Sequence, residues 1–246
     1  MKKLALIFGF CVFFCPAAWS TTQPCAVGTL ASYEALGSGG CTIGTDLLSS
    51  FANVGGTFGA TELDPTAVSV SPTGGSSDPE LIFSVNQTAT APQLLETIFT
   101  YVISDSVFLQ SAIGLAGSSE TVDGAVTDIQ NLCAGGTFGP DGVDGCTGNA
   151  LSLLTLDGIQ NTDNTSLGAV NSVAVTDDFT LDGGTAGTAS GGKFTDTFTA
   201  QTSVVTSTPE PASTLPAAIL IVFLFLCQQA QTRTRLRARK LRSGKP

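Results

Sequence analysis

The sequence predicts an all-β protein: an antiparallel β-sandwich ectodomain with one C-terminal transmembrane helix. Three observations carry this reading. Between residues 21 and 208 the apolar residues come in short runs rich in Val, Thr, Ile and Phe, set off by Gly, Pro, Asn, Asp and Ser, which is strand chemistry with turn punctuation. Several of these runs alternate with a period of two. The charge is segregated: nine of the ten Lys and Arg lie in Met1–Lys3 or Arg233–Lys245, at the two ends where export signals sit.

The chain divides into three parts. Residues 1–20 read as a cleavable signal peptide: Lys2 and Lys3 give a positive start, Leu4–Cys15 is an apolar run, and Ala18-Trp19-Ser20 places small residues at the cleavage-specifying positions. Residues 21–208 form the extracytoplasmic domain. Residues 209–246 form a tail containing Pro209-Glu210-Pro211, an apolar segment over about 212–231 and an arginine cluster.

In the middle part, Val173, Val175, Phe179 and Leu181 share one parity, with Asp177 as the polar exception among them. Phe99, Tyr101 and Ile103 share a face, as do Phe194, Phe198 and Ala200, opposite Thr195, Thr197 and Thr199. The stretch GGTAGTASGG is expected to join the last two strands as a hairpin. Further strands are expected at Val68–Ser71, Leu81–Thr88, Val107–Ile113, Val122–Ile129 and Leu151–Leu156, about eight in all. That number predicts two antiparallel sheets packed face to face. Asp46–Phe51 and Pro92–Glu96 are each expected to supply a helical turn at most.

Four cysteines remain in the exported part once Cys11, Cys15 and Cys227 are set aside. Local disulfides Cys25–Cys41 and Cys133–Cys146 are the economical pairing, each closing a loop of roughly 15 residues. Zinc is disfavoured, because the pairs lack zinc-knuckle spacing and the chain has no histidine.

The same lack of histidine removes Ser-His-Asp and Cys-His catalysis. Between residues 21 and 208 nineteen acids face the single Lys193, a net charge of −18, which makes nucleic acid an unsuitable partner. Paired carboxylates are the one catalytic option left. With so many acids, Asp177-Asp178 or Asp141 with Asp144 carries little specificity. Asp141 and Asp144 in Pro140–Gly145 are the weak candidates for calcium, without the spacing of an EF-hand, and a plain turn is expected there. No cofactor is expected. Asn86 and Asn164 fit the glycosylation sequon.

At the C-terminus the apolar run Leu215–Cys227 is short for a comfortable span, and the arginines behind it hold that end in the cytoplasm. The ensemble of Pro209-Glu210-Pro211, one apolar span and an Arg-rich end resembles the PEP-CTERM sorting signal of certain Gram-negative bacteria, which exosortase recognises. Leu30, Tyr33, Leu36, Gly37, Gly40 and Cys41 also resemble the LxxYxxLGxxGC-like opening of many proteins that carry this tail. The resemblance implies that Glu210 and its flanking prolines are the recognition residues for an exosortase-type membrane protease. It implies passage through the inner membrane to the cell surface or extracellular matrix, where such proteins are associated with exopolysaccharide and envelope components. The expected function is therefore non-enzymatic, of structural or interaction type. The alternative is a carbohydrate- or calcium-binding β-sandwich module, whose mark would be a pocket with two carboxylates and an exposed aromatic.

Overall fold

The computed structural model describes residues 22–57 and 59–201. The signal peptide, the PEP motif and the apolar tail segment lie outside these residues.

Fourteen strands and almost no helix make up the described chain, almost all paired antiparallel. The N-terminal part holds β1 (Gly28–Thr29), helix α1 (Leu30–Glu34), β2 (Cys41–Ile43), β3 (Asp46–Gly55) and β4 (Thr61–Glu62). β5 (Val68–Thr73), β6 (Glu80–Val85) and β7 (Thr88–Thr90) follow, then β8 (Leu94–Ala116) and β9 (Ser119–Thr121). β10 (Ala125–Ala134), β11 (Asn149–Leu156), β12 (Thr162–Asp182), β13 (Thr188–Ser190) and β14 (Lys193–Gln201) complete it. β4 is the exception in pairing, lying parallel to β8.

The sandwich is one sheet folded on itself, where two separate sheets were expected. β8 and β12 are long enough to run through both layers. The first half of β8 pairs with β3 and with Ser172–Asp182 of β12, which in turn pairs with β10. The second half of β8 pairs with β14 and with Thr162–Ser166 of β12, and β14 continues to β6, β5 and β1. The change of layer falls where β8 has Asp105 at φ 81° and β12 has Gly168 and Ala169 at φ 77° and 61°. These left-handed residues interrupt the ladders, which shift register at the same place, and a bulge of this kind bends and twists a strand.

The core lies between the two layers. Phe83, Phe194 and Phe198 come from one side and Phe99, Tyr101 and Phe179 from the other, all buried. Phe83 meets Phe99 with ring centroids 5.0 Å apart, and Phe179 stacks on Phe194 at 4.7 Å, although neither pair lies on neighbouring strands. Burying each such ring contributes about 1.5–3 kcal/mol relative to exposure, and a well-oriented aromatic pair adds about 0.5–1.5 kcal/mol.

Several expectations are corrected here. Asp46–Phe51 is strand, not a helical turn: Ser50 at φ 59° makes a bulge, so Leu48 and Phe51 both point inward and the alternation is broken. Pro92–Glu96 gives no helical turn either, because β8 starts at Leu94. The glycine-rich stretch does not close a hairpin between β12 and β14. Within it β13 forms a separate three-stranded sheet with β7 and β9, and β14 pairs instead with β6 and β8. Val122, expected in a strand, is an exposed turn residue at φ 60°.

Both disulfides are present, Cys25–Cys41 with Cα atoms 4.8 Å apart and Cys133–Cys146 at 5.5 Å. The first ties the N-terminal segment to β2. The second closes the loop leaving β10. Around Cys41, Leu30 and Tyr33 are buried and α1 is capped by Thr29, whose Oγ1 accepts from Ser32 N–H at 3.2 Å. Leu36, by contrast, is partly exposed. Gly40 sits at φ 58° with no room for a side chain, since a Cβ there would lie 2.0 Å from the carbonyl oxygen of Leu48. Gly37 has a similar φ but open space around it.

Non-reducing peptide mapping is expected to recover Cys25 joined to Cys41 and Cys133 joined to Cys146, and reduction is expected to lower the melting temperature by roughly 6–12 °C per bridge. A crossed peptide, such as Cys41 with Cys133, would refute the pairing. Gly40→Ala is expected to cost more than about 3 kcal/mol in chemical denaturation, and Gly37→Ala about 1–2 kcal/mol, because only the first adds a backbone clash to left-handed strain. Equal losses for the two variants would contradict the crowding at Gly40.

Candidate functional site

The acids proposed from sequence do not come together as pairs. Asp177 and Asp178 are consecutive in β12, so their side chains leave opposite faces of the strand. Asp177 points into the core and Asp178 points away, towards Glu96 of β8. Asp141 Oδ1 accepts from the backbone N–H groups of Val143 and Asp144, both at 3.2 Å. Those bonds hold its carboxyl below the usual range. The turn is fixed further by Gly139 N–H donating to the Asp144 carbonyl at 2.6 Å, and by Thr176 Oγ1 donating to the Gly142 carbonyl at 2.6 Å. Among the described residues no group of three or more Asp, Glu, Cys or His is arranged to hold a metal ion.

Of the acids that do meet, the sequence marks Asp177 alone, and not its partners. Asp128 of β10, Asp177 of β12 and Asp196 of β14 are completely buried in the gap between the layers. Gln130, directly across the ladder from Asp177, is buried with them. Tyr101 donates its hydroxyl to Asp196 Oδ2 at 2.6 Å, and Ser111 Oγ donates to Gln130 Oε1 at 2.9 Å. Tyr101, Asp128, Gln130 and Asp177 belong to one layer, Ser111 and Asp196 to the other, so the cluster spans the sandwich. Burial raises Asp128, Asp177 and Asp196 above the ordinary carboxyl range. The charge of Asp196 adds to the rise at both Asp128 and Asp177. The Tyr101 hydroxyl bonded to Asp196, with the Asp177 and Gln130 side chains beside it, limits its rise to about 6.

A second pair lies on the outer face. Glu96, nearly buried, accepts from Thr57 N–H and, at 3.2 Å, from Thr57 Oγ1. Asp178 is raised to about 6, first by burial and then by the charge of Glu96. Asp46 of β3 is buried too, and burial raises its carboxyl.

Surface depressions offer little chemistry. One of about 510 Å³ is lined by Gly135–Thr137 and Ala169–Ser172. Another, of about 410 Å³, lies beside Asn86, Gly117 and Lys193. A third, of about 240 Å³, contains Asp144 and Phe138. None has the two carboxylates and exposed aromatic expected of a sugar site, and every Phe and Tyr among the described residues is buried or half-buried. The parity of Asp177 and Asp196 among core residues was the available signal for the interior cluster. Asp196 falls between Phe194 and Phe198.

Calcium chelation is expected to leave the melting temperature unchanged within about 1 °C, because Asp141 is engaged by its own turn and a millimolar-affinity site adds little stability at millimolar calcium. A loss of many degrees in EDTA would make Asp141 and Asp144 ligands.

No protein-family model matches this chain, and no curated protein does either. Among solved structures it is similar to that of TmCBM61, a carbohydrate-binding module in complex with β-1,4-galactotriose, at 11% identity and a TM-score of 0.27, over 59% of this chain and 85% of that one.

Proposed function

We propose that this is an exported, non-enzymatic envelope or extracellular-matrix protein, cut at its C-terminal tail by an exosortase-type membrane protease. The carrying observation is the pair of disulfides, Cys25–Cys41 and Cys133–Cys146, which belong to an oxidising compartment outside the cytoplasm. The signal-like start and the PEP-bearing tail supply the route. The domain between them presents a strongly acidic surface, which keeps exported chains apart in solution. Among its described residues no helix is long and apolar enough to cross a membrane.

On this reading Glu210, between Pro209 and Pro211, is the residue by which the protease recognises the tail. The acids of the domain support a structural role, since Asp128, Asp177 and Asp196 are closed inside the core and Asp141 is engaged by its own turn.

Mass spectrometry of the protein from its native envelope and medium is expected to find a chain starting at Thr21 and lacking Arg233–Lys245. Glu210→Ala is expected to leave the uncut form in the inner membrane. Mostly full-length protein with its arginines intact would identify the tail as an ordinary single-pass anchor.

A further inference from the structure

The interior cluster is unusual for what it lacks. Lys193 is the only cationic side chain among the described residues, and it is exposed on β14, away from the core. Buried carboxylates ordinarily have a counter-cation, a metal or several donors. The groups facing this cluster are Tyr101 and Ser111 from β8, Asp128 and Gln130 from β10, Thr155 from β11, Asp177 from β12 and Asp196 from β14. From β6 the facing residues are apolar: Leu81, Phe83 and Val85. Asp178 and Glu96 lie on the opposite face, and Asp46 lies near Asp105 and Ser106 at the bend.

Donors are too few for three charges. Asp196 receives the Tyr101 hydroxyl, but both oxygens of Asp128 and both of Asp177 have no donor. The Gln130 Nε2 closes no hydrogen bond of full geometry, although its amide still favours the charged forms of Asp177 and Asp196. A carboxyl without donors in a closed core becomes satisfied when it carries its own proton, because the O–H can then donate to a neighbouring carboxylate. Asp177 lies close enough to Asp196 for each to shift the other, so a protonated Asp177 is placed to donate to Asp196, which already accepts from Tyr101.

We propose that the interlayer cluster of Tyr101, Asp128, Gln130, Asp177 and Asp196 is a proton-binding device, taking up protons as the two layers close and making the domain tighter in acidic than in neutral surroundings. The sign is opposite to ordinary acid denaturation. In the unfolded chain these carboxyls release their protons near pH 4. In the folded chain they keep them to higher pH, so the native state binds more protons in the interval. Stability is therefore full below about pH 4 and falls as pH rises through the folded values, about 6 for Asp196 and well above the ordinary carboxyl range for Asp128 and Asp177. The role is independent of what the surface binds.

Thermal melting of the purified mature protein from about pH 4.5 to about pH 8 tests this, with a fall of about 5 °C or more expected across the range. Asp177→Asn is expected to flatten the curve more than Asp178→Asn does, because Asp178, also raised to about 6, is a single half-buried acid on the other face. In wild-type protein with carbon-13-labelled aspartate, infrared spectra are expected to show a protonated carboxyl band persisting above pH 6, kept in Asp178→Asn and reduced in Asp177→Asn. If Asp177→Asn does not fold, Asp128→Asn takes its place and the wild-type band still decides. A flat or rising wild-type curve, a missing band, or an unchanged slope in Asp177→Asn overturns the proposal. Recovery of the neutral-pH melting temperature by millimolar calcium also overturns it, by showing a cation in the proton's place.

Discussion

Everything in this fold depends on two strands changing layer. β8 and β12 are paired along most of their length, and each belongs to one face of the sandwich at one end and to the other face at the other. The switch requires left-handed backbone at Asp105 and at Gly168 and Ala169, and it needs both strands to bend together. Once they do, the remaining strands have no choice of face. β3, β10 and β11 extend one side, and β14, β6, β5 and β1 extend the other. The aromatic core forms because the bend brings Phe99, Tyr101 and Phe179 opposite Phe83, Phe194 and Phe198.

The same bend explains why acids sit inside. Folding a single sheet over itself brings the β10–β12 ladder against β14, and the positions that meet carry Gln130 and Asp177 on one side and Asp196 on the other. Hydrogen bonds need matched donors and acceptors, so Tyr101 to Asp196 and Ser111 to Gln130 fix one alignment of the layers more narrowly than apolar contacts alone would. Conformational specificity of this kind is obtained at a cost in stability, which protonation reduces.

Much of the sheet is legible in the sequence wherever alternation is unbroken. β5, β11, the second half of β12 and β14 fall close to where their valines, leucines and phenylalanines place them. Both disulfides follow from spacing and parity of number. β3 is lost because the bulge at Ser50 moves the inward set from Leu48 to Phe51 and destroys the period. β8 reads as two strands because the inward positions pass from Phe99, Tyr101 and Ile103 to Ser106 and Phe108, then back to Ser111 and Ile113. β7, β9 and β13 are three-residue strands held by pairing with remote partners, which no local propensity records. Asp196 is hard to read locally because its neighbours in the chain are threonines, although Phe194 and Phe198 share its face.

The solitary lysine has a consequence for survival outside the cell. A trypsin-like protease cleaves after lysine or arginine, and from Thr21 to Thr208 it has a single target, Lys193. That residue begins β14 and is paired on one side with Ser84 and on the other with Ala116. Its peptide bond is thus held in the middle of a sheet, where an extended substrate conformation cannot be lifted into a protease cleft without breaking two ladders. The folded domain therefore offers that class of enzyme one target, and the target is tied into two ladders at once.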